Sequence, residues 1–528
     1  MDDLSDEVLK TIFGYCDLQD IKNLRLACKT TLRIANEHLF PEIVLFMHRE
    51  SLKACAGTAV HPVFSKTAKS LLIQAARPRE VTFQQWERGR INSIHAAVNT
   101  MRVAFKEIYE SGRYEHLSEE QKDQAKGALE KELQLKAERE APALSDEQIE
   151  IHFAHAVRLI AETHWIFEDG SLYTCLRDIL EHCTNLDTID LTIGDFSRAE
   201  STYQSKDFKL GMLRPYHSDL DGHNPGEGVA VKLVLAAAEA NFKPRVVRLG
   251  NISHRVFMRA SIARKFQRFL DKVQVLEWEF AEPPFNALTY DIKPEYVAMI
   301  QDFNQPDNKF VPLMSAAKNL TLLRLELPDY WGWSDVQPVR LESVVSSIDW
   351  QHLTNVSIWS FEVTPTVLKD FLLRHKLTLT RVHLGQVRLR DGTWPDCFAS
   401  FAGKLPKIQE FELRGEYQEA ANVLNTHWYD FGLSEISGNN NYGTHIFSYV
   451  IAGGEVFPPR PAIHEDNVAD LWVVDPDDGG DEVMRSTVRA MAAKILMMGN
   501  EYADDGDESG DKKKDGEDEE SDSDDSGQ

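Results

Sequence analysis

The strongest constraint on the fold of this chain is a loose repeat of the form apolar-x-x-apolar-x-apolar. It runs through Leu186-x-x-Ile189-x-Leu191, Val273-x-x-Leu276-x-Trp278, Leu320-x-x-Leu323-x-Leu325, Leu353-x-x-Val356-x-Ile358, Leu379-x-x-Val382-x-Leu384 and Ile408-x-x-Phe411-x-Leu413. Two copies follow an asparagine, Asn185 and Asn319, and the stretch Pro244 to Leu249, counted from Val246, is a poorer copy. The steps between starting positions are 87, 47, 33, 26 and 29 residues, and the poorer copy splits the first into 60 and 27. The shorter steps fall near the period of about 20–29 residues of a solenoid built from one strand and one helix per repeat. Alternating apolar residues suit a strand with one buried face. Helical stretches are expected between some strands, at Val229 to Asn241, Arg255 to Lys272 and Thr364 to Arg374. Strand then helix, repeated, predicts an irregular horseshoe-like solenoid. The competing reading is an ordinary α/β domain whose strands share Leu-x-Leu, since the period is uneven and an asparagine ladder is mostly absent.

The first forty residues have a different character. Leu4-Ser5-Asp6-Glu7-Val8-Leu9-Lys10-Thr11-Ile12-Phe13-Gly14-Tyr15 reads as a short helix with both ends marked. Ser5 suits the N-cap, because its hydroxyl accepts from an orphan amide. Asp6 and Glu7 sit where the helix dipole favours negative charge. Leu4 is placed to pack on Leu9 as a staple, and Gly14 to end the helix in the left-handed conformation. Val8, Leu9, Ile12 and Phe13 form one apolar stripe. Leu18, Ile21, Leu24 and Cys28 form a second, and Leu32, Ala35 and Leu39 continue into a third helix. Three helices this short do not bury all these groups among themselves. Either the rest of the chain or a partner covers them.

The ordered string Leu4-Ser5-Asp6-Glu7-Val8-Leu9, Ile12-Phe13, Leu18-Gln19-Asp20-Ile21 and Leu24-Arg25-Leu26-Ala27-Cys28-Lys29 resembles an F-box. The family pattern opens Leu-Pro-x-Glu and closes on Val-Cys-Lys or similar, so the chain departs at Ser5 and Ala27. The resemblance implies docking to a Skp-type adaptor, which connects to a cullin scaffold, a RING subunit and a ubiquitin-conjugating enzyme. The adaptor-binding residues it implies are Leu4, Ser5, Val8, Leu9, Ile12, Phe13, Leu18, Ile21 and Leu24. Phe40 to Leu45, and Phe371 through Trp394, further resemble fungal F-box proteins with degenerate leucine-rich repeats.

Charge narrows the partners. The 528 residues carry a net −26, and Glu501 to Gln528 alone holds 14 acids against 3 lysines. Such a chain is repelled by phosphate backbones, so nucleic acid is not expected as a partner. The acidic tail is poor in apolar residues and predicted to be disordered. Six scattered cysteines without a CxxC pair point to a reducing compartment. There is no apolar run of membrane-spanning length and no secretory leader, so the expected location is cytoplasmic, nuclear or both, with no membrane partner.

Catalytic signatures are absent from the sequence: no phosphate-binding Gly-rich loop with Lys-Ser/Thr, no GxSxG and no HExxH. Gly226-Glu227-Gly228 is a lone GxG in what reads as a polar loop. His152, His155, Glu162 and His164 share one expected helix, where surface or half-buried histidines are far commoner than a metal site. Cys175 and Cys183 lack a partner base. No catalytic residue, cofactor or metal is expected. Tyr330, Trp331 and Trp333, in the loop Pro328 to Trp333, are candidate substrate anchors, because aromatic loop residues favour interfaces; capping of the solenoid is the equal alternative.

The organisation expected is an α+β or α/β chain: an F-box at 1–40, a connecting strand/helix segment at 41–90, a helical region at 91–170, a leucine-rich-repeat-like body at 171–470, a helical segment at 471–500 and the acidic tail at 501–528. The function expected is the substrate-recognition subunit of a Skp–cullin–F-box ubiquitin ligase, performing no bond chemistry and presenting an unidentified protein substrate. The alternative is a non-catalytic F-box/solenoid scaffold that binds partners without ubiquitination.

Overall fold

The computed structural model describes residues 4–16, 18–39, 41–75, 82–84, 86–87, 145–193, 225–280, 294–327, 338–345, 347–419, 428–430, 442–454 and 456–458. The chain divides into two units, Met1–Phe83 with Asp146–Ala462, and Gln84–Ser145 with Ile463–Gln528. All the elements named below lie in the first.

Ten strands form one sheet in the order in which the chain makes them. They are β1 (Glu42–Phe46), β2 (Ser70–Gln74), β3 (Thr188–Thr192), β4 (Val246–Ile252), β5 (Val275–Phe280), β6 (Leu322–Glu326), β7 (Asn355–Val363), β8 (Arg381–Leu389), β9 (Glu410–Glu419) and β10 (Trp428–Asp430). Every neighbouring pair is parallel except β9–β10, which is antiparallel. The chain is thus α+β with a parallel sheet. Parallel neighbours need a crossover, and here most crossovers carry a helix. These are α4 (Arg49–Val60) with the short α5 (Phe64–Thr67), α6 (Asp146–Glu168) with α7 (Ser171–His182), α8 (Pro225–Glu239), α9 (Ala260–Leu270), α10 (Pro294–Asn304) with α11 (Phe310–Ala316), α12 (Pro365–Arg374) and α13 (Trp394–Phe401). Consecutive helices pack on one another, α4 on α7, α7 on α8, α8 on α9, α9 on α11 and α12 on α13. Their buried faces join the inward strand residues in one continuous core.

The repeat template sets the register. Leu71, Ile189, Val247, Leu276, Leu323, Val356, Val382 and Phe411 align across the sheet, as do Ile73, Leu191, Leu249, Trp278, Leu325, Ile358, Leu384 and Leu413. All sixteen are buried. Two copies read differently from the sequence expectation. In the poorer copy the buried leading residue is Pro244, two positions before Val246. A further copy, Ala68-x-x-Leu71-x-Ile73, leads into β2 with all three residues buried, but opens on an alanine too small to stand out. The sheet therefore begins at Glu42, inside the segment expected to connect the N-terminal helices to the body. Gly226-Glu227-Gly228 sits in the first turn of α8 rather than in a loop.

Backbone carbonyls supply what an asparagine ladder would. The carbonyls of Pro41, Lys69, Asp187, Arg245, Gln274, Thr321, Thr354 and Thr380 each accept from two successive amides of the next strand's start. Thr321, Thr354 and Thr380 add a hydroxyl donor to the preceding carbonyl at 2.9, 3.0 and 3.2 Å. The two asparagines of the template do the same: Asn185 donates to the Lys66 carbonyl at 2.5 Å and Asn319 to that of Asp271 at 3.1 Å. Each crossover is thereby tied to the one before, which satisfies amides that burial would otherwise leave unpaired.

The last strands carry a shared bulge. Ser360, Gln386 and Gly415 take positive φ of 61°, 51° and 73° at matching positions of β7, β8 and β9, and the Ser360 hydroxyl donates to Gln386 Oε1 at 2.7 Å. In β7 and β8 the extra residue shifts the alternation by one, so Phe361 and Val387 turn inward after it; β9 holds one residue more at this point, and Tyr417 turns inward opposite Val387. This is why the sequence there reads Leu384-x-x-Val387-x-Leu389. One residue earlier, the Trp359 indole lies over Gly385, where any Cβ would fall inside the ring. Gly385→Ala is expected to lower stability by about 1–3 kcal/mol through overpacking. Trp359→Ser in the same chain should recover most of that loss, measured by denaturant unfolding of both variants.

His375 follows α12 and is fully enclosed. Its Nδ1 donates to the Phe371 carbonyl at 2.9 Å, and its Nε2 accepts from the Trp350 amide at 3.2 Å. The imidazole is thus a neutral Nδ1–H tautomer, and burial pulls its pKa below 6.5. Burial likewise lowers His254, despite Asp302 at 3.0 Å. An unfolded chain takes up protons near pH 6.5 that these folded sites refuse, so the unfolded state binds more protons below that pH. Thermal unfolding is therefore expected to shift down as pH falls from 7.5 to 5.5, and His375→Gln should flatten that dependence.

Candidate functional site

The N-terminal helices are α1 (Asp6–Gly14), α2 (Leu18–Leu24) and α3 (Lys29–His38). Ser5 caps α1, accepting from the Val8 amide at 3.5 Å, and Asp6 and Glu7 occupy its first turn. Gly14 is the last helical residue in the ordinary right-handed conformation, and Tyr15 is the C-cap; the left-handed ending expected at Gly14 is not used. Cys28, within the closing motif, caps α3. Its sulfur accepts from the Thr31 amide at 3.4 Å while its own amide donates to the Thr31 hydroxyl at 3.0 Å. Two ion pairs join α1 to α3, Asp6–Arg33 at 2.7 Å and Lys10–Glu37 at 2.8 Å.

These helices sort their apolar residues into two sets. Leu9 and Phe13, each 1% exposed, close a small core with Ile21, Ile34, Ala35 and Leu39, against which Cys16, Leu24 and Phe64 pack. Leu4, Val8 and Ile12 face away, at 43%, 44% and 42% exposed. At a spacing of four residues they form one stripe along α1. Leu4 is therefore not buried as a staple on Leu9. Ser5 is exposed beside the stripe, and the Leu18 side chain lies outside the described residues. Leu32 is exposed on α3 although Ala35 and Leu39 are buried, and Leu26 and Tyr15 are exposed as well. The sequence stripes miss Tyr15 and Leu26, which lie in turns where helical periodicity carries no information.

The other candidates separate. Tyr330, Trp331 and Trp333 lie outside the described residues. On α6 (Asp146–Glu168), His155 contacts Arg158 at 2.9 Å and His164 pairs with Glu168 at 3.0 Å. Glu162 accepts from the Arg49 amide at 2.6 Å, so these groups do not converge on a metal. Among the described residues the group with ligand atoms close together is His383, Glu410 and Glu412, on β8 and β9. Its carboxylates already pair with Arg381 and Arg414. Burial pushes the thiols of Cys55 and Cys397 up to about 12 and that of Cys183 to about 11, and raises Cys175 further. Those thiols stay protonated and poorly nucleophilic. Among the described residues no helix is long and apolar enough to cross a membrane.

One N-terminal motif thus supplies both a small helical core and an exposed apolar stripe. Residues 1–43 match the family model of the F-box domain, and the chain carries that domain. F-box domains in general bind Skp-type adaptors of cullin-based ubiquitin ligases, and proteins that carry them are generally non-catalytic receptors. A comparison with curated proteins finds none that matches the chain.

Proposed function

We propose that this chain is the substrate-recognition subunit of a Skp–cullin–F-box ubiquitin ligase, working in the cytoplasm, the nucleus or both. The observation that carries the reading is the exposed Leu4–Val8–Ile12 stripe on a helix whose opposite face is already packed. An apolar stripe of this kind gains by burial in a partner's groove, the usual mode for an amphipathic helix. In this reading Leu4, Ser5, Val8 and Ile12 touch the adaptor. Leu9, Phe13 and Ile21 hold the helices at the right angle from beneath, and Leu24 lies at the edge.

The sheet that follows supports the second half of the reading. Strands in sequence order, each tied to the last by paired amides, suit a degenerate leucine-rich-repeat-like solenoid. Such a body offers an extended polar face, here laced by ion pairs such as Asp190–Arg248 at 3.1 Å and Arg248–Glu277 at 2.9 Å. A protein substrate held there would have its lysines kept near a charged conjugating enzyme, which is catalysis by proximity. The aromatic loop residues Tyr330, Trp331 and Trp333 remain the proposed anchors.

Purification of the tagged full chain from cells tests the reading. Adaptor and cullin should be recovered with the wild type and lost with Leu4→Ala/Ile12→Ala. Recovery of the adaptor without the cullin would instead indicate a scaffold that does not ubiquitinate.

A further inference from the structure

The helical layer carries a charge pattern that runs against the rest of the chain. Residues 255–272 contain six basic residues and one acid in a protein of net charge −26. Arg259, Arg264, Arg268 and Lys272 are exposed and Lys265 is half-buried, while Ile262, Phe266, Phe269 and Leu270 are buried beneath them. Arg264, Arg268 and Lys272 follow one another at four-residue spacing, so like charges line one face of α9 and its end, an unfavourable arrangement. Arg259 is the N-cap and makes no side-chain capping bond, which sets a cation at the positive end of the helix dipole. Arg264 Nε reaches only the Ala260 carbonyl of its own helix. The single acid, Asp271, is engaged by Lys243 at 2.6 Å. That contact, with Lys318 and Lys272 also near, holds its carboxyl below the usual range. Among the described residues no carboxylate forms an ion pair with Arg259, Arg264, Lys265, Arg268 or Lys272.

We propose that this face of α9 binds an acidic segment of a partner protein. From Arg259 to Lys272 it spans roughly 20 Å at the helical rise, the reach of about six residues of extended chain. The row of guanidinium and ammonium groups suits carboxylate or phosphate side chains. Nucleic acid is a poorer fit, because the phenylalanines of this helix are buried and it presents no exposed aromatic ring to stack a base. An anionic membrane is poorer too, because the exposed face has no large apolar side chain to insert. The surface is distinct from the α1 stripe, and the proposal holds or fails separately from adaptor docking.

The test uses the purified full chain and a short fluorescein-labelled peptide of aspartate and glutamate. A glycine–serine peptide, a single-stranded oligonucleotide of equal charge and anionic vesicles serve as comparisons. The acidic peptide should bind at low salt and weaken steeply as salt is added. Arg264→Gln/Lys265→Gln/Arg268→Gln should reduce that binding about tenfold or more, as expected when exposed charges are removed from an electrostatic surface. Circular dichroism and adaptor binding should be unchanged; the three single substitutions provide the same reading if the triple variant misfolds. Absence of peptide binding, equal binding by the variants, or tighter binding of the oligonucleotide or vesicles would each overturn the proposal.

Discussion

Trp278→Ala is expected to cost about 3–5 kcal/mol, the upper range for removing a buried aromatic. The indole is fully enclosed on β5. It stacks on Phe280 at 4.9 Å and Phe266 at 5.7 Å, and meets Phe257 and Phe310 edge-on at 5.7 and 5.8 Å. Its Nε1 donates to the Ile252 carbonyl at 3.3 Å, so truncation leaves a cavity and a buried carbonyl short of that partner. Phe257 and Phe310 also meet each other, as do Phe280 and Phe303, so the cavity walls are rings that cannot collapse inward cheaply. Because β5 is paired only with β4 and β6, the damage falls in the middle of the sheet and separates its two halves. The melting temperature should drop by roughly 10 °C. Trp278→Phe should lose far less, since most of the stacking area remains. Differential scanning calorimetry of the three chains checks this.

The same residue shows what the sequence made legible. Trp278 closes a template copy, and its inward direction follows from alternation alone. So do the inward directions of Ile189, Leu323, Val356 and Val382. The helices at Val229 and Thr364 were readable because apolar spacing changed from two to between three and four, whereas the stretch expected as one helix from Arg255 is divided into a 3-10 turn at His254–Phe257 and α9. What the pattern hid has physical causes. Ala68 buries as completely as a leucine but contributes little hydropathy, so the β2 copy was silent. Pro244 leads the β4 copy, although proline ordinarily marks a turn. The bulge at Ser360, Gln386 and Gly415 depends on positive φ in two residues other than glycine, which no composition rule anticipates. On α1 the sequence identified the apolar residues but not their division, because Val8 and Leu9 are adjacent and equally apolar. Only the packing of α2 and α3 determines that Leu9 turns in and Val8 turns out.

That division makes the proposed docking face separable from the fold. Phe13→Ala removes a ring from a core of six buried residues and should unfold the N-terminal helices along with any binding. Leu4→Ala/Ile12→Ala touches only the exposed stripe, and the ion pairs Asp6–Arg33 and Lys10–Glu37 continue to hold α1 on α3. Each truncation is expected to remove about 1.5 kcal/mol of apolar burial at the interface. Together they weaken binding by roughly a hundredfold. Titration calorimetry of a purified Skp-type adaptor into the full chain and into this double variant is the most direct measurement, with thermal unfolding recorded for both. The expected result is an affinity lower by about two orders of magnitude with an unchanged melting temperature. Equal affinities for the two chains would contradict the assignment of the α1 stripe as the docking surface.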